Sequence, residues 1–167
     1  FDSVASQLEG YDACYACMGV SSAGMKEEQY KIKTYDYTLA LAKVLHGLNP
    51  IMTFIYVSGQ GTDSSEEGNV MWARVKGKTE NDIIKLGFNQ AFAFRPGAII
   101  PLRGIEPSSK LYKNLIKNLG WLIKLMKKLS PNSIVNTTQI GLAMINATRN
   151  GYGQNTINPK DILKLAV

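Results

Sequence analysis

The stretch IMTFIYVS, residues 51 to 58, decides the fold that we expect for this chain. It is a short run rich in β-branched and aromatic residues, and the turn sequence Gly59-Gln60-Gly61 follows it. Such a run is typical of a β-strand. Longer amphipathic segments lie on both sides of it and predict helices near residues 26 to 47 and 68 to 87. The run therefore predicts a strand between two helices.

Two further apolar runs predict strands at residues 11 to 19 and 90 to 95. Strands and helices then alternate along the chain, which favours a parallel sheet because parallel strands need a crossover connection, usually a helix. Pro96, Pro101 and Pro107 predict a loop after the last of these strands. Asn158-Pro159 predicts the start of a further helix. We therefore expect the α/β class, with helices flanking a parallel sheet.

The composition favours one folded domain over residues 1 to 167. Hydrophobic residues make up 45% of the 167 residues, and no uninterrupted apolar run approaches the roughly 18 residues of a membrane span. The first residues, Phe1-Asp2-Ser3-Val4, have neither the charged nor the apolar region of a secretory signal. They indicate a truncated or processed piece. We expect a soluble, cytoplasmic protein.

The positive charge is partly local. The net charge is +6, and five of the 19 basic residues lie between Lys113 and Lys128. No basic block is interleaved with aromatic residues as on a nucleic-acid surface, so we expect no nucleic-acid partner and favour a phosphorylated small ligand.

Residues 108 to 129 carry apolar residues at helical spacing with lysines between them. The pattern also fits a helix that lies on a membrane surface. Because Gly120 and Trp121 interrupt a simple two-faced pattern, we favour a helix packed on its own domain and expect no membrane contact.

Cys14 and Cys17 have the C-x-x-C spacing of redox and metal sites. Residues three apart on a strand point to opposite faces, so on the predicted strand these thiols could not share a disulfide or a metal ion. We predict two small core thiols and no metal site.

Glycine-containing stretches nearby do not complete a phosphate-binding motif. GVSSAGMK, residues 19 to 26, has Met25 where a phosphate loop has lysine, and Ser64 replaces the third glycine of a G-x-G-x-x-G sequence that starts at Gly59. His46 is the only histidine, and it lies in the last turn of a predicted helix, where a favourable contact with the helix dipole accounts for it, so we expect no Ser-His-Asp or Cys-His arrangement.

Four stretches in order carry a family resemblance: YDACYACMGVS, FIYVSGQGTDS, WARVKGKTE and FRPGAI. Together they resemble an atypical short-chain dehydrogenase/reductase, related to NAD(P)-dependent epimerases and to the Tat-interacting-protein oxidoreductase-like branch. The resemblance spans about Tyr11 to Tyr152. It implies a Rossmann-like sheet with NAD or NADP and a small-molecule substrate at the carboxyl ends of the strands.

The resemblance implies three catalytic positions. Ser58 matches the family's serine, which hydrogen-bonds the substrate oxygen. Lys76 matches the lysine that holds the nicotinamide ribose and lowers the pKa of a tyrosine four residues earlier. That position is Trp72 here, and an indole has no proton to exchange near neutral pH. Four other residues could replace the missing acid in space: Tyr30, Tyr35, Tyr56 and Asp63.

The resemblance also implies residues that contact the cofactor. Two of them lie at the end of the first predicted strand, one belongs to the stretch WARVKGKTE, and three form the R-P-G sequence that flanks the nicotinamide in the family. These residues are Gly19, Ser21, Lys76, Arg95, Pro96 and Gly97.

The glycine-rich first turn of the family, which binds the pyrophosphate, has no counterpart in this chain. By analogy we expect the C-terminal portion of the fold, in which the strand at 11 to 19 exposes an apolar edge. A missing N-terminal segment or a second chain would then cover that edge.

The resemblance implies an NAD(P)-binding oxidoreductase- or epimerase-like protein with an altered catalytic motif. The alternative is a non-catalytic protein that senses NAD(P) or binds a partner, because loss of the acid spares cofactor binding. The sequence leaves the substrate and the choice between NAD and NADP open.

Overall fold

Four parallel strands form the main sheet in a computed structural model, which describes residues 2–102 and 133–167. Their order across the sheet is β1-β2-β3-β6, and each neighbouring pair is parallel. The strands are β1 (Ala13–Ala16), β2 (Thr53–Val57), β3 (Gln90–Phe94) and β6 (Thr156–Ile157). Helices flank this sheet, so the expected α/β fold with a parallel sheet is confirmed.

The helices cover both faces of the sheet. A short 3₁₀ helix, Asp2–Gln7, precedes β1. Between β1 and β2, helix α1 (Glu27–Lys31) runs through a π-helical segment (Ile32–Asp36) into α2 (Tyr37–Leu48). Three more helices follow: α3 (Met71–Lys85), α4 (Thr137–Asn150) and α5 (Pro159–Leu165).

Strand β2 separates two apolar cores. Ile55 belongs to a core on the side of α4 and α5, where Ala143 and Ile162 are also buried. Phe54 and Tyr56 belong to the other core, on the side of α2 and α3. Because side chains alternate along a strand, a strand buried on both faces is apolar at nearly every position. This explains why residues 51 to 57 are apolar at every position except Thr53.

Strand β1 is shorter than the predicted strand at residues 11 to 19. The backbone N–H of Cys17 donates to the carbonyl of Tyr15 at 2.9 Å, so the chain turns as soon as it leaves the sheet. Cys14 is half-buried and Cys17 is exposed, and both thiols are free. The prediction of a core thiol is therefore wrong for Cys17. Within the described ranges no group of three or more His, Cys, Asp or Glu side chains could hold a metal ion.

One strand of a second, two-stranded parallel sheet lies in the region that we predicted to be a loop. This sheet pairs β4 (Ala98–Ile100) with β5 (Ile134–Asn136). A strand of only three residues that closely follows a proline carries little local signal. Its partner strand is also far along the chain, since Ala98 pairs with Ile134, 36 positions away. The predicted helix at residues 108 to 129 lies outside the described residues.

Two other local features can be compared with the sequence. Pro159 is the first residue of α5, and the Asp161 carboxylate accepts a hydrogen bond from the Asn158 N–H at 3.2 Å, which confirms the predicted helix start. Among the residues that the structure describes, no helix has the length and apolarity to cross a membrane.

Strand β1 lies at one end of the main sheet. Its inner edge pairs with β2, and no strand of residues 2–102 or 133–167 pairs with its outer edge. Tyr15 of this strand is 40% exposed, and Tyr11 and Met18 beside it are more than half exposed. The exposed edge that we expected, and the second chain or further segment that would cover it, stay predictions.

Candidate functional site

An open crevice lies at the carboxyl ends of β2 and β3. It has a volume of about 520 Å³. Three segments line it: the loop after β2, the first turn of α3, and the connection from β3 into β4. The lining residues are Val57, Ser58, Gly59, Gln60, Gly61, Trp72, Pro96, Gly97, Ala98 and Ile99. In parallel α/β sheets, ligands bind in crevices at this end of the strands, so the crevice is the candidate site.

Ser58 is held at the end of β2 by hydrogen bonds from both its backbone and its side chain. Its N–H donates to the carbonyl of Phe94 at 2.7 Å, which extends the contact between β2 and β3 by one residue. Its Oγ lies 2.9 Å from the hydroxyl of Thr62, and that hydroxyl donates to the carbonyl of Gly59. Since a hydroxyl has one proton, Ser58 donates to Thr62. Its oxygen lone pairs are then able to accept a hydrogen bond from a ligand.

Trp72 forms an aromatic wall of the crevice in the first turn of α3. Its ring lies against Gly61, where an added Cβ atom would be 3.4 Å from the ring. Tryptophan at this position therefore has a contact that a smaller residue would not make. The sequence predicted this residue for the site, and the structure brings it to the same crevice as Ser58.

Pro96 and Gly97 form a further part of the crevice lining. The N–H of Gln60 donates to the carbonyl of Pro96 at 2.9 Å, which ties the two loops together. A Cβ atom on Gly97 would lie 2.1 Å from the carbonyl oxygen of Ser133, so only glycine permits this close approach. The R-P-G sequence thus determines how the chain passes from β3 to β4.

Lys76 lies on α3 and is not among the residues that line the crevice. Its Nζ is 3.4 Å from the hydroxyl of Tyr56 and 5.2 Å from the centroid of the same ring. Burial lowers the pKa of Lys76 to about 8, against an opposing effect of Glu80. Burial raises the pKa of Tyr56 well above its ordinary value. The structure therefore places a lysine of lowered basicity beside a phenol that stays protonated.

Of the four residues that could replace the missing acid, Tyr56 is the one beside Lys76. Tyr35 donates its hydroxyl to Asp82 at 2.8 Å. Asp63 accepts hydrogen bonds from its own loop, including one from the N–H of Gly68 at 2.7 Å. The hydrogen bonds of its carboxylate are thus local to that loop, and of the four residues only Tyr56 is hydrogen-bonded to the predicted catalytic lysine.

Arg95 contacts α3 and is not among the residues that line the crevice. Its Nε lies 3.0 and 3.1 Å from the two carboxylate oxygens of Glu80, and its Nη2 also contacts that carboxylate. Glu80 is 2% exposed, so this is a buried ion pair. Sequence reasoning missed Glu80, although it lies four residues after Lys76, which is one helical turn. The predicted contact of Arg95 with a cofactor stays a prediction.

Gly19 and Ser21 lie in the exposed segment between β1 and α1. The Oγ of Ser21 accepts a hydrogen bond from the N–H of Ala23 at 3.3 Å. Neither residue lines the crevice. The structure thus brings Ser58, Trp72, Pro96 and Gly97 together and leaves the other predicted site residues outside the crevice.

No family model matches the chain. Among curated proteins, it is similar to "Protein FMP52, mitochondrial" of Candida albicans, with 27% identity over 138 residues that cover 78% of this chain and 58% of the relative. It is also similar to "Protein fmp52-2, mitochondrial" of Aspergillus oryzae, with 30% identity over 77% of this chain and 53% of the relative. A third relative, from Kluyveromyces lactis, is 35% identical over 80 residues, which are 48% of this chain and 34% of the relative. The chain spans about half the length of the first two relatives.

These relatives correct three expectations. They are named FMP52 and none of them is named as a dehydrogenase, reductase or epimerase, so the assignment to the short-chain dehydrogenase/reductases and the oxidoreductase- or epimerase-like function are wrong. The motifs misled because residues at the strand ends of a common α/β fold do not by themselves specify an activity. The cytoplasmic location is wrong as well, since the relatives are named as mitochondrial proteins.

Proposed function

We propose that this protein is a mitochondrial nucleotide-binding protein whose crevice takes part of an NAD or NADP molecule. The observation that carries the proposal is the convergence of Ser58, Trp72 and Pro96 on one crevice at the carboxyl ends of β2 and β3. Parallel α/β sheets bind nucleotide cofactors at this position. The names of the relatives support the mitochondrial location.

The lining suits a ligand that is both flat and polar. Trp72 and Pro96 supply apolar surface, while the Ser58 hydroxyl and the Gln60 side-chain amide can form hydrogen bonds. Ligand sites commonly combine a mainly apolar lining with a few placed polar groups. The residues therefore fit the planar heterocycle and ribose of a nucleotide. When bound, such a cofactor would either supply redox chemistry or bind without reacting. In both cases the crevice residues would bind and orient it.

The net charge of +6 supports a ligand that carries phosphate groups. This chain has no glycine-rich turn of the kind that binds a pyrophosphate. We therefore assign the crevice to the part of the nucleotide away from the pyrophosphate.

Titration of NADH and NADPH against a Trp121→Phe variant tests the proposal. The chain has two tryptophans, so this variant leaves Trp72 as the only indole reporter. Saturable quenching by either nucleotide, with weaker binding in a Ser58→Ala version of the same variant, is the expected result. The proposal fails if neither nucleotide quenches Trp72 and calorimetry also detects no binding.

A second proposal concerns the outer edge of β1. The strand has an outer edge without a partner strand among the described residues, and Tyr15 on it is 40% exposed. The Tyr15 hydroxyl lies 3.1 Å from that of Thr148 on α4, where Leu142 and Ile145 are also more than 40% exposed. We propose that a further polypeptide segment, from the same protein or from a second chain, pairs with β1 and packs on this part of α4.

Hydrogen exchange and light scattering together test this second proposal. If the chain dimerises, the amides of residues 13 to 16 should be protected more strongly as its concentration rises, and Tyr15→Lys should reduce both effects. A monomer at every concentration, with rapid exchange along the outer edge of β1, is the result that contradicts pairing with a second chain. The first test is independent of this one, because nucleotide binding is measured at the crevice.

A further inference from the structure

Ser64 lies in the loop between β2 and α3, and its hydroxyl contacts an arginine. The Nη2 of Arg95 donates to the Oγ of Ser64 at 2.5 Å. The arginine side chain is only 13% exposed, whereas Ser64 is exposed. A buried guanidinium group therefore points at an accessible serine hydroxyl.

We propose that Ser64 is a phosphorylation site whose phosphate is bound by Arg95. In this step the Oγ of Ser64 attacks the γ-phosphorus of a nucleoside triphosphate, supplied with a serine kinase. The Oγ–P bond forms, the bond from the γ-phosphorus to the bridging oxygen breaks, and the nucleoside diphosphate leaves. The hydroxyl proton passes to the catalytic carboxylate of the kinase.

Contacts between the loop and α3 hold Ser64 in a defined position beside this helix. The side-chain amide of Asn81 donates to the carbonyl of Ser64 at 3.0 Å. A Cβ atom on Gly77 would be 1.7 Å from the carbonyl oxygen of Asp63, so the loop approaches the helix as closely as glycine allows. A phosphate added at Ser64 would therefore appear beside Arg95 without a large movement of the loop.

Arginine is suited to bind a phosphate group at this position. A guanidinium group has five N–H donors in a planar arrangement that matches phosphate oxygens. In Arg95 the contacts with Glu80 and Ser64 use Nε and Nη2. The Nη2 contact with Ser64 shows that this end of the guanidinium group already reaches the position of the phosphate. The phosphate would compete with the buried carboxylate of Glu80 for this end of the guanidinium group.

The residues around Ser64 indicate which kind of kinase would act on it. Glu66 and Glu67 follow it in the sequence, and Glu67 is exposed. Acidic residues after a serine complement a kinase with a basic substrate groove, because such enzymes select substrates by charge pattern. The partner is therefore an acid-directed serine kinase.

The neighbouring serine provides a matched control. The Ser65 hydroxyl donates to the Asp63 carboxylate at 2.7 Å. A phosphate on Ser65 would stand next to this carboxylate and be repelled by it. The two adjacent serines thus share a sequence context but differ in charge environment, which favours Ser64.

Kinase treatment followed by site mapping tests the proposal. The folded chain is incubated with ATP and an acid-directed serine kinase, and the modified residue is identified by mass spectrometry. We expect phosphate on Ser64 in the native sequence and in Ser65→Ala, and none at this loop in Ser64→Ala. Phosphate confined to Ser65, or no modification of the folded chain while a peptide of residues 58 to 70 is modified, would overturn the proposal.

A second measurement tests the role of Arg95 without a variant that could unfold. The second pKa of a phosphoserine is about 6, and a guanidinium contact favours the dianion and lowers it. ³¹P NMR titration of the phosphorylated chain should give a lower pKa in buffer than in a urea concentration that unfolds it. Equal values in the two states would show that Arg95 does not bind the phosphate.

Discussion

The Nζ atom of Lys76 lies 3.4 Å from the hydroxyl of Tyr56, in a partly buried contact. The two residues belong to α3 and β2 and are 20 positions apart. Burial lowers the pKa of Lys76 to about 8 and raises that of Tyr56. Both groups therefore favour their neutral forms more than they would in water, and this has a measurable consequence.

We expect Lys76 to make the free energy of unfolding depend on pH between about 8 and about 10.5. The native state holds this lysine with a pKa below that of the unfolded chain, so the unfolded state binds more protons in this window. Stability contributed by Lys76 therefore rises as the pH rises through the window. The linkage gives about 1 to 3 kcal/mol. Urea unfolding of the native protein and of Lys76→Met, each at pH 7 and pH 10, measures this contribution to the free energy of unfolding.

The control for this experiment is Lys78→Met. The Lys78 ammonium lies 3.0 Å from Asp82 at the surface, and hydrogen bonding to that carboxylate raises the pKa of Lys78. This variant should therefore not show the same gain in stability with pH. If the difference between the native sequence and Lys76→Met is the same at pH 7 and pH 10, the lysine is not desolvated as the structure indicates.

Arg95→Met should destabilise the protein strongly. The substitution leaves the Glu80 carboxylate buried without its guanidinium partner, and the loss of one member of a buried pair costs about 3 to 5 kcal/mol. Adding Glu80→Gln should recover part of this cost, because it removes the buried charge. Chemical denaturation of the single and double variants measures both effects.

A surface ion pair supplies the comparison for Arg95. Arg74 contacts Glu27 at 2.7 Å, and the side chains of this pair are 25% and 49% exposed. Exposed pairs contribute at most about 1 kcal/mol. Arg74→Met should therefore cost much less than Arg95→Met, and equal costs would mean that burial of the Glu80 pair is not what matters.

Ser58→Ala should weaken nucleotide binding by about fivefold. The Ser58 hydroxyl donates to Thr62, whose own hydroxyl donates to the Gly59 carbonyl, so the lone pairs of Ser58 are available, and one such hydrogen bond contributes about 1 kcal/mol. Isothermal titration calorimetry with NADH and NADPH measures the change. Ser65→Ala serves as the control because Ser65 lies outside the crevice lining, and an equal loss in both variants would contradict the proposed contact.

Gly97→Ala should disrupt the crevice, whereas Gly59→Ala should be tolerated. A Cβ atom on Gly97 would lie 2.1 Å from the Ser133 carbonyl oxygen, but one on Gly59 would meet nothing within 4 Å. We expect a cost of about 1 to 3 kcal/mol for Gly97→Ala, as for other overpacked sites, together with loss of nucleotide binding. Thermal unfolding and calorimetry compare the two variants. If both variants unfold at the same temperature and bind nucleotide equally well, the Ser133 carbonyl oxygen does not lie close to Gly97.

Much of the α/β fold could be predicted because its signals are local. The run at residues 51 to 58 gave β2, the periodic segments gave α2 and α3, and Asn158-Pro159 gave the start of α5. Each pattern depends on the spacing of residues within one element. The β4–β5 sheet could not be predicted in this way, because two three-residue strands are stable only when the chain brings them together.

The sequence by itself determined a parallel α/β fold. Ser58, Trp72, Pro96 and Gly97 were predicted from the family resemblance, and they line one crevice because parallel strands bring the residues that follow their carboxyl ends to one edge of the sheet. Only the tertiary structure decided which side chains meet. It paired Arg95 with Glu80, placed Lys76 beside Tyr56 and turned Cys17 to the surface. These contacts join residues from separate elements, or depend on where a strand ends. Their geometry follows from packing in three dimensions, which no local spacing encodes.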